Sequence, residues 1–176
     1  YQGRTLTGKC LEITIDGKFI AGVKELADDL QLPYLLPVLV DLQHNGAFGI
    51  EFNRISMATD EELLRVSTHM RRHGVGRCLA SFATQDLDVL SASMASLDKR
   101  LEVNEELSNL YPGFFQEGVF ISSEPGWRGA HQVQFIKGPD FKLFLKLWDA
   151  SGRRIKVVNV APEIPGAIEF IEQAVE

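Results

Sequence analysis

The apolar residues of the chain recur in two patterns, and each pattern predicts a different element of secondary structure. Short apolar runs bounded by glycine or proline predict buried strands at residues 37–46, 75–84, 114–121 and 155–160. Apolar residues three or four positions apart predict amphipathic helices at residues 59–74, 87–101, 140–150 and 167–175. A strand is therefore followed by a helix four times, and this order predicts a parallel sheet with right-handed crossovers.

Local signals sharpen two of these predictions. Thr59 precedes an acidic stretch with Glu62 three positions later, which is the pattern of a capping box at the start of the first helix. Gly74 predicts the end of that helix. Residues 37–46 are rich in Leu and Val, which predicts a strand covered on both faces.

Residues 10–23 alternate between apolar and polar side chains on either side of an Asp-Gly dipeptide at 16–17. Such a dipeptide between apolar runs predicts a β-hairpin, here placed before the first buried strand. The remaining polar or glycine-rich segments predict connections and loops, at residues 24–35, 46–56 and 122–138.

Composition and charge exclude several classes of partner. The net charge of −6 disfavours binding to the phosphate backbone of nucleic acids. No apolar run reaches the roughly 20 residues of a membrane span, and no signal peptide is recognisable. Cys10 and Cys78 form no CxxC pair, which favours buried free thiols in a reducing compartment. We therefore expect a cytoplasmic protein that binds neither nucleic acid nor membranes.

The first predicted strand ends in polar side chains. On a regular strand Asp41, Gln43 and Asn45 share one face, and His44 points to the other. Ligands and catalytic groups of parallel α/β proteins collect at the carboxyl ends of strands. The mouth of this strand is therefore a candidate site.

Three further groups carry candidate chemistry. Glu117 lies in an apolar strand, where a buried acid needs a partner or a metal, although a residue at a strand end can also reach solvent. His131 lies in a polar loop and is either a site residue or a solvated one. His69 and His73 have a spacing that can chelate a metal, but Met70 replaces the glutamate of His-Glu-x-x-His, and both histidines also suit a helix C-terminus.

Three segments in order resemble one family. Residues 37–46 (Pro-Val-Leu-Val-Asp-Leu-Gln-His-Asn-Gly) are similar to the Pro-Gly-x-[Ile/Val]-Asp-x-Gln-x-Asn-Gly run of N-acetylglucosamine-6-phosphate deacetylases, in the amidohydrolase superfamily. Residues 115–120 (Phe-Gln-Glu-Gly-Val-Phe) resemble the family's Leu-Glu-Gly-Pro-Phe element, and residues 128–131 (Arg-Gly-Ala-His) resemble its Gly-Ala-His segment. The similarity runs through nearly the whole chain.

The resemblance implies an α/β fold, the N-terminal part of a (β/α)8 TIM-type barrel with four strand–helix units. Residues 1–35 would be the β-hairpin segment of a small β-domain, and residues 36–176 the first half of the metal-dependent hydrolase barrel. The family hydrolyses N-acetylglucosamine 6-phosphate to glucosamine 6-phosphate and acetate with a divalent metal, most often zinc.

The resemblance also assigns residues. Glu117 would be a metal ligand, Ala130 and His131 would contact the amino-sugar phosphate, and Gln43 and Asn45 would line the metal pocket. Asp41 would brace the strand mouth at the same pocket.

This sequence departs from the family pattern at Val38, where the family has Gly, and at Val119, where it has Pro. The two metal-binding histidines and the catalytic aspartate of the family come from later strands and have no counterparts here. We therefore expect an N-terminal fragment that is inactive alone, does not hold the metal alone, and forms a homo-oligomer or lacks its C-terminal half. The alternatives are a non-catalytic relic or binding module of the same fold, and a free-standing α/β domain that binds a small phosphorylated ligand.

Overall fold

The computed structural model describes residues 1–175, which divide into two compact units between Val38 and Leu39. The first unit is a three-stranded antiparallel sheet in the order β1-β2-β3. Its strands are β1 (Gln2–Arg4), β2 (Cys10–Asp16) and β3 (Phe19–Glu25).

The predicted hairpin is confirmed in this first unit. Asp16 pairs with Phe19, so Gly17 and Lys18 form the turn between β2 and β3. Gly17 has a φ of +58°, a left-handed conformation that glycine adopts without steric cost. The pairing of β1 with β2 was not predicted, because a strand of three residues is too short to show alternation.

The second unit alternates strands and helices in the predicted order. Its strands are β4 (Leu39–His44), β5 (Gly46–Ala47), β6 (Ile50–Glu51), β7 (Val75–Ala83), β8 (Gly113–Phe120) and β9 (Ile155–Val160). Its α-helices are α1 (Asp60–Arg72), α2 (Leu87–Val103), α3 (Glu105–Leu110), α4 (Phe141–Ala150) and α5 (Ala167–Val175). The four long strands pair in parallel, as the strand–helix rhythm predicts, and their order in the sheet is β4-β7-β8-β9.

The start of α1 has the predicted capping box. The hydroxyl of Thr59 accepts a hydrogen bond from the Glu62 backbone N–H at 3.2 Å, and the Glu62 carboxylate accepts one from the Thr59 backbone N–H at 2.8 Å. Gly74 follows the helix with a φ of +81°, which ends it. The capping box therefore satisfies two backbone N–H groups at the start of α1, those of Thr59 and Glu62.

The core of the second unit lies between one face of the sheet and the helices. Cys78, Ala80 and Phe82 alternate along β7 and are buried on this face. The helices contribute apolar side chains that are fully buried against it, among them Leu63, Leu90, Met94, Leu97 and Leu110. The stripe on α2 is therefore a packing surface, as its three- and four-residue spacing predicts.

The prediction that residues 37–46 form a strand covered on both faces is wrong. β4 pairs only with β7 among the described residues and is thus an edge strand. Val40 and Leu42 are 61% and 64% exposed. An apolar run identifies a strand that is able to be buried, but the neighbours that would bury it are set by the tertiary structure.

Two other segments differ from the predicted loops and connections. Residues 46–51 form the short hairpin β5–β6, and a 3-10 helix follows at Phe52–Met57, with Phe52 and Ile55 buried. The helix α3 was also not predicted from the sequence. Elements of two to six residues do not span enough turns or alternations to reveal a period. Within residues 1–175, none of the helices combines the length and apolarity needed to cross a bilayer.

Gln116 is a polar residue in the apolar layer of the sheet. It is fully buried, it lies opposite Phe82 of β7 and Val158 of β9, and neither atom of its side-chain amide has a hydrogen-bond partner among the described residues. A buried amide without a partner loses its hydration and gains nothing in return.

We therefore predict that Gln116→Leu raises the free energy of unfolding by about 1–3 kcal/mol, because leucine fills the space without an amide to desolvate. Chemical denaturation of the purified chain measures the change. Gln134→Leu, at an exposed position, is the matched control and changes the stability by less than about 0.5 kcal/mol. A loss of stability in Gln116→Leu would contradict the assignment of an unpartnered amide.

Candidate functional site

The carboxyl ends of β4 and β8 bring together two side chains that are 72 residues apart in the sequence. The side-chain amide of Asn45, immediately after β4, donates a hydrogen bond from Nδ2 to Oε2 of Glu117 at 2.6 Å. Glu117 is the fifth residue of β8, and its side chain is 17% exposed. The carboxylate of Glu117 is therefore held at the carboxyl ends of the strands by a side chain that directly follows another strand.

His131 approaches the same carboxylate from the loop after β8. Its Nε2 lies 3.9 Å from Oε1 of Glu117, and its side chain is 20% exposed. Its other ring nitrogen, Nδ1, lies 2.8 Å from the hydroxyl oxygen of Thr84. The ring is thus contacted on both sides, by a carboxylate and by a hydroxyl.

Glu117, His131 and Thr84 border a polar cavity of about 270 Å³ at the carboxyl ends of β7 and β8, whereas Asn45 does not line it. Glu117, Ala130 and His131, which the resemblance assigns to metal and substrate, all line it. Its other lining residues are Glu51, Asn53, Arg54, Ala83, Thr84, Gln85 and Gln132.

Asp41 and Gln43 do not belong to this lining. The carboxylate of Asp41 accepts a hydrogen bond from the Gln43 backbone N–H at 3.0 Å, within the end of β4. Asp41 pairs with Cys78 and His44 pairs with Ala80, so three steps along β4 match two along β7. This irregularity places Asp41 and His44 on the same side of the sheet, whereas regular alternation placed them on opposite sides.

Sequence reasoning missed Asn53 and Thr84. The side chain of Asn53 donates to the carbonyl of Ala83 at 3.0 Å and accepts from its backbone N–H at 2.8 Å, which fixes the end of β7. Thr84 is the next residue and contacts His131. Asn53 lies in a segment predicted as a loop, but Thr84 ends a predicted strand. The strand-end rule applied to β4 and β8 would have found it.

His44 is buried beneath β4, on the helix side of the sheet. Its ring stacks parallel to the ring of Tyr111 at a centroid distance of 6.2 Å and meets the edge of Phe52 at 5.5 Å. Its Nδ1 has no hydrogen-bond partner among the described residues. Burial lowers the pKa of His44, the carboxylate of Asp41 opposes that shift, and His69 adds to it.

Both cysteines are buried free thiols, as predicted. Burial, with the carboxylate of Asp41 adding to its effect, raises the pKa of the Cys78 thiol to about 12. The Cys78 thiol therefore stays protonated and unreactive.

His69 and His73 lie at the end of α1, with ring centroids 4.3 Å apart. The Nδ1 of His73 lies 2.9 Å from the backbone carbonyl of His69, so one ring nitrogen of the pair faces the backbone. This arrangement suits two residues that satisfy a helix C-terminus.

The described residues do not by themselves fit a metal ion. Within residues 1–175, no group of three or more His, Cys, Asp or Glu side chains is placed to hold one. Glu117 and His131 are two candidate ligands, and a catalytic zinc site uses about three from the protein.

Comparison with known proteins gives a consistent set of relatives, although no family model matches the chain. It is 31% identical over 158 residues to the N-acetylglucosamine-6-phosphate deacetylase of Caenorhabditis elegans, covering 85% of this chain and 37% of that protein. It is 30% identical over 139 residues to the enzyme of the same name from Bacillus subtilis, covering 78% of this chain and 34% of that protein.

Solved structures agree with these relatives. The crystal structure of the N-acetyl-D-glucosamine-6-phosphate deacetylase from Mycobacterium smegmatis superposes with a TM-score of 0.76 at 28% identity, over 99% of this chain and 46% of that one. A mutant of that protein in complex with N-acetyl-D-glucosamine-6-phosphate gives a TM-score of 0.78 at 27% identity. The chain thus spans 34% to 46% of the length of these proteins.

The environment of His44 generates a prediction about pH. Because burial lowers its pKa in the folded state, the unfolded chain takes up a proton below about pH 6.5 that the folded chain resists. Stability is therefore fully present above that pH and falls as the pH is lowered, by at most about 1.4 kcal/mol per pH unit from this group.

We predict that His44→Phe, which preserves an aromatic ring, reduces the loss of folding stability between neutral and mildly acidic pH. Urea denaturation of the wild-type and substituted chains across that range measures it, with the difference in alkaline buffer as the baseline for packing changes. Equal acid sensitivity of the two chains would show that His44 does not cause the loss.

Proposed function

Because the chain is homologous to the N-acetylglucosamine-6-phosphate deacetylases over the N-terminal portion of those proteins, we propose that it supplies the first half of the barrel of such an enzyme. The reaction is the hydrolysis of N-acetylglucosamine 6-phosphate to glucosamine 6-phosphate and acetate, assisted by a divalent metal. The proposed domains are residues 1–35, in a small β-domain, and residues 36–176, in the barrel.

Strand order and exposure support the barrel. The order β4-β7-β8-β9 follows the chain without reversal. A doubly wound sheet reverses its order at a switch point, whereas the strands of a (β/α)8 barrel succeed one another around the circle. The exposed Val40 and Leu42 of β4 fit an edge strand whose apolar side chains the remaining strands would cover.

The observation that carries the proposal is the meeting of three segments of the chain at one carboxylate. Asn45 binds the Glu117 carboxylate, His131 faces the same carboxylate, and Ala130 lies beside them. The three segments that contain them are those that resemble the deacetylase motifs. Asn45 and Glu117 are 72 residues apart in the sequence, so their meeting is not a consequence of local structure.

The roles follow from the chemistry of each group. Glu117 is a metal ligand, and Asn45 holds its carboxylate in place. His131 contacts the sugar phosphate through the Nε2 that faces the cavity, and Ala130 leaves room because it is small. The cavity of about 270 Å³ is slightly below the usual range for ligand sites, so further walls and the remaining ligands come from outside residues 1–175.

A second candidate function is a binding module of the same fold without catalysis. The limited ligand set of residues 1–175 favours it for the chain taken alone, because two candidate ligands are too few for a catalytic zinc site. In that case the chain binds the sugar phosphate and leaves its amide bond intact.

We predict that the 176-residue chain alone releases no acetate from N-acetylglucosamine 6-phosphate, and that the full-length protein containing it does so in a chelator-sensitive manner. In that protein Glu117→Gln lowers kcat/KM on the order of 100-fold and lowers the bound metal, because a neutral amide is a poor ligand. An acetate-release assay and metal analysis measure both effects.

Glu172→Gln, an exposed position on α5, is the matched control and leaves activity and metal content unchanged. Full activity in Glu117→Gln would remove Glu117 from the metal site. Sugar-phosphate binding without acetate release by the full-length protein would favour the binding module.

A further inference from the structure

Thr84 holds His131 from the side opposite Glu117. It directly follows β7, it is 6% exposed, and its hydroxyl oxygen lies 2.8 Å from Nδ1 of His131. Neither the sequence motifs nor the resemblance singled out this residue. Its hydroxyl is the polar group nearest to Nδ1, so it decides which hydrogen bond that nitrogen makes.

Two features other than the contact with His131 fix the position of the Thr84 hydroxyl. The side chain of Asn53 pairs with both backbone groups of Ala83, so the chain entering Thr84 is held. Gly118 has a φ of +103°, and a Cβ at that position would overlap the Thr84 hydroxyl. The absence of a side chain at Gly118 therefore makes the space that Thr84 occupies.

The two sides of the imidazole have different requirements. A neutral imidazole has one N–H and one lone pair, and a hydroxyl serves either as donor or as acceptor. A carboxylate accepts hydrogen bonds only, and Oε1 of Glu117 lies 3.9 Å from Nε2. An N–H at Nε2 is attracted to this carboxylate, whereas a lone pair there is repelled by it. The adaptable hydroxyl is then left to satisfy Nδ1 as a donor.

We propose that Thr84 is a positioning residue whose hydroxyl donates a hydrogen bond to Nδ1 and, together with the Glu117 carboxylate beside Nε2, holds His131 in the Nε2–H tautomer. His131 then presents a hydrogen-bond donor, not a lone pair, to the cavity. The group of the ligand that meets it is an acceptor oxygen, such as a sugar hydroxyl or a carbonyl. The consequence of this tautomer for substrate binding rests on the proposed function, whereas the tautomer itself can be measured on the chain without substrate.

The test is a long-range proton–nitrogen NMR spectrum of the ¹⁵N-labelled chain in alkaline buffer, where imidazoles are neutral. The chain has four histidines, and the His131 signals are assigned by their loss in His131→Gln. The wild type and Thr84→Ser, which keeps the hydroxyl, show one dominant Nε2–H tautomer. Thr84→Val, of nearly the same shape without a donor, leaves Nδ1 without this hydrogen bond, so the ¹⁵N resonance of Nδ1 moves from its wild-type position and the share of the Nδ1–H tautomer rises.

A dominant Nδ1–H tautomer in the wild type would overturn the proposal, as would a Thr84→Val chain that folds and keeps the wild-type pattern at His131. If Thr84→Val does not fold, Thr84→Ala, which also removes the hydroxyl, takes its place in the comparison. The readout is independent of acetate release. A failed deacetylase assay with the expected tautomer would therefore reject the function and keep the role of Thr84.

Discussion

Parallel pairing of the four long strands constrains everything else in the second unit. Parallel strands end at the same edge of a sheet, so residues from distant parts of the sequence meet there with no local contact to guide them. The hydrogen bond from Asn45 to Glu117 and the approach of His131 both depend on this alignment. Asn53 reinforces it by pairing with the last residue of β7.

The carboxyl ends of the strands and the helix-facing side of the sheet differ in whether their polar groups have hydrogen-bond partners. At the strand ends, Glu117, His131 and Thr84 all have partners. On the helix side, the amide of Gln116 and Nδ1 of His44 are buried without partners among the described residues. Each such group subtracts from a net stability that is small in any domain. The hydrogen-bonded polar groups therefore lie at the proposed site. The buried polar groups that lower the stability lie between the sheet and the helices.

The chain exposes an apolar edge strand and matches only part of each relative. It covers less than half of each relative described above, and its edge strand β4 presents Val40 and Leu42 to solvent. A parallel sheet covered on one face only is uncommon, because its strands are apolar on both. At the cavity, Glu117 and His131 are candidate ligands, and no group of three or more within residues 1–175 is placed to hold a metal ion.

The sequence by itself determined the elements that have a period or a boundary signal: the hairpin at Gly17, the capped helix after Thr59, the stripe on α2 and the alternation of strands and helices along the chain. Their signals are local, since capping and alternation involve residues a few positions apart. It also identified Glu117 and His131 through motifs. Only the tertiary structure decided that β4 is an edge strand, that Asp41 shares a side with His44, and that Thr84 and Asn53 belong to the site. Those features depend on which neighbour covers a strand and where its register shifts, and the physical reason is that both are set by contacts between residues distant in the sequence.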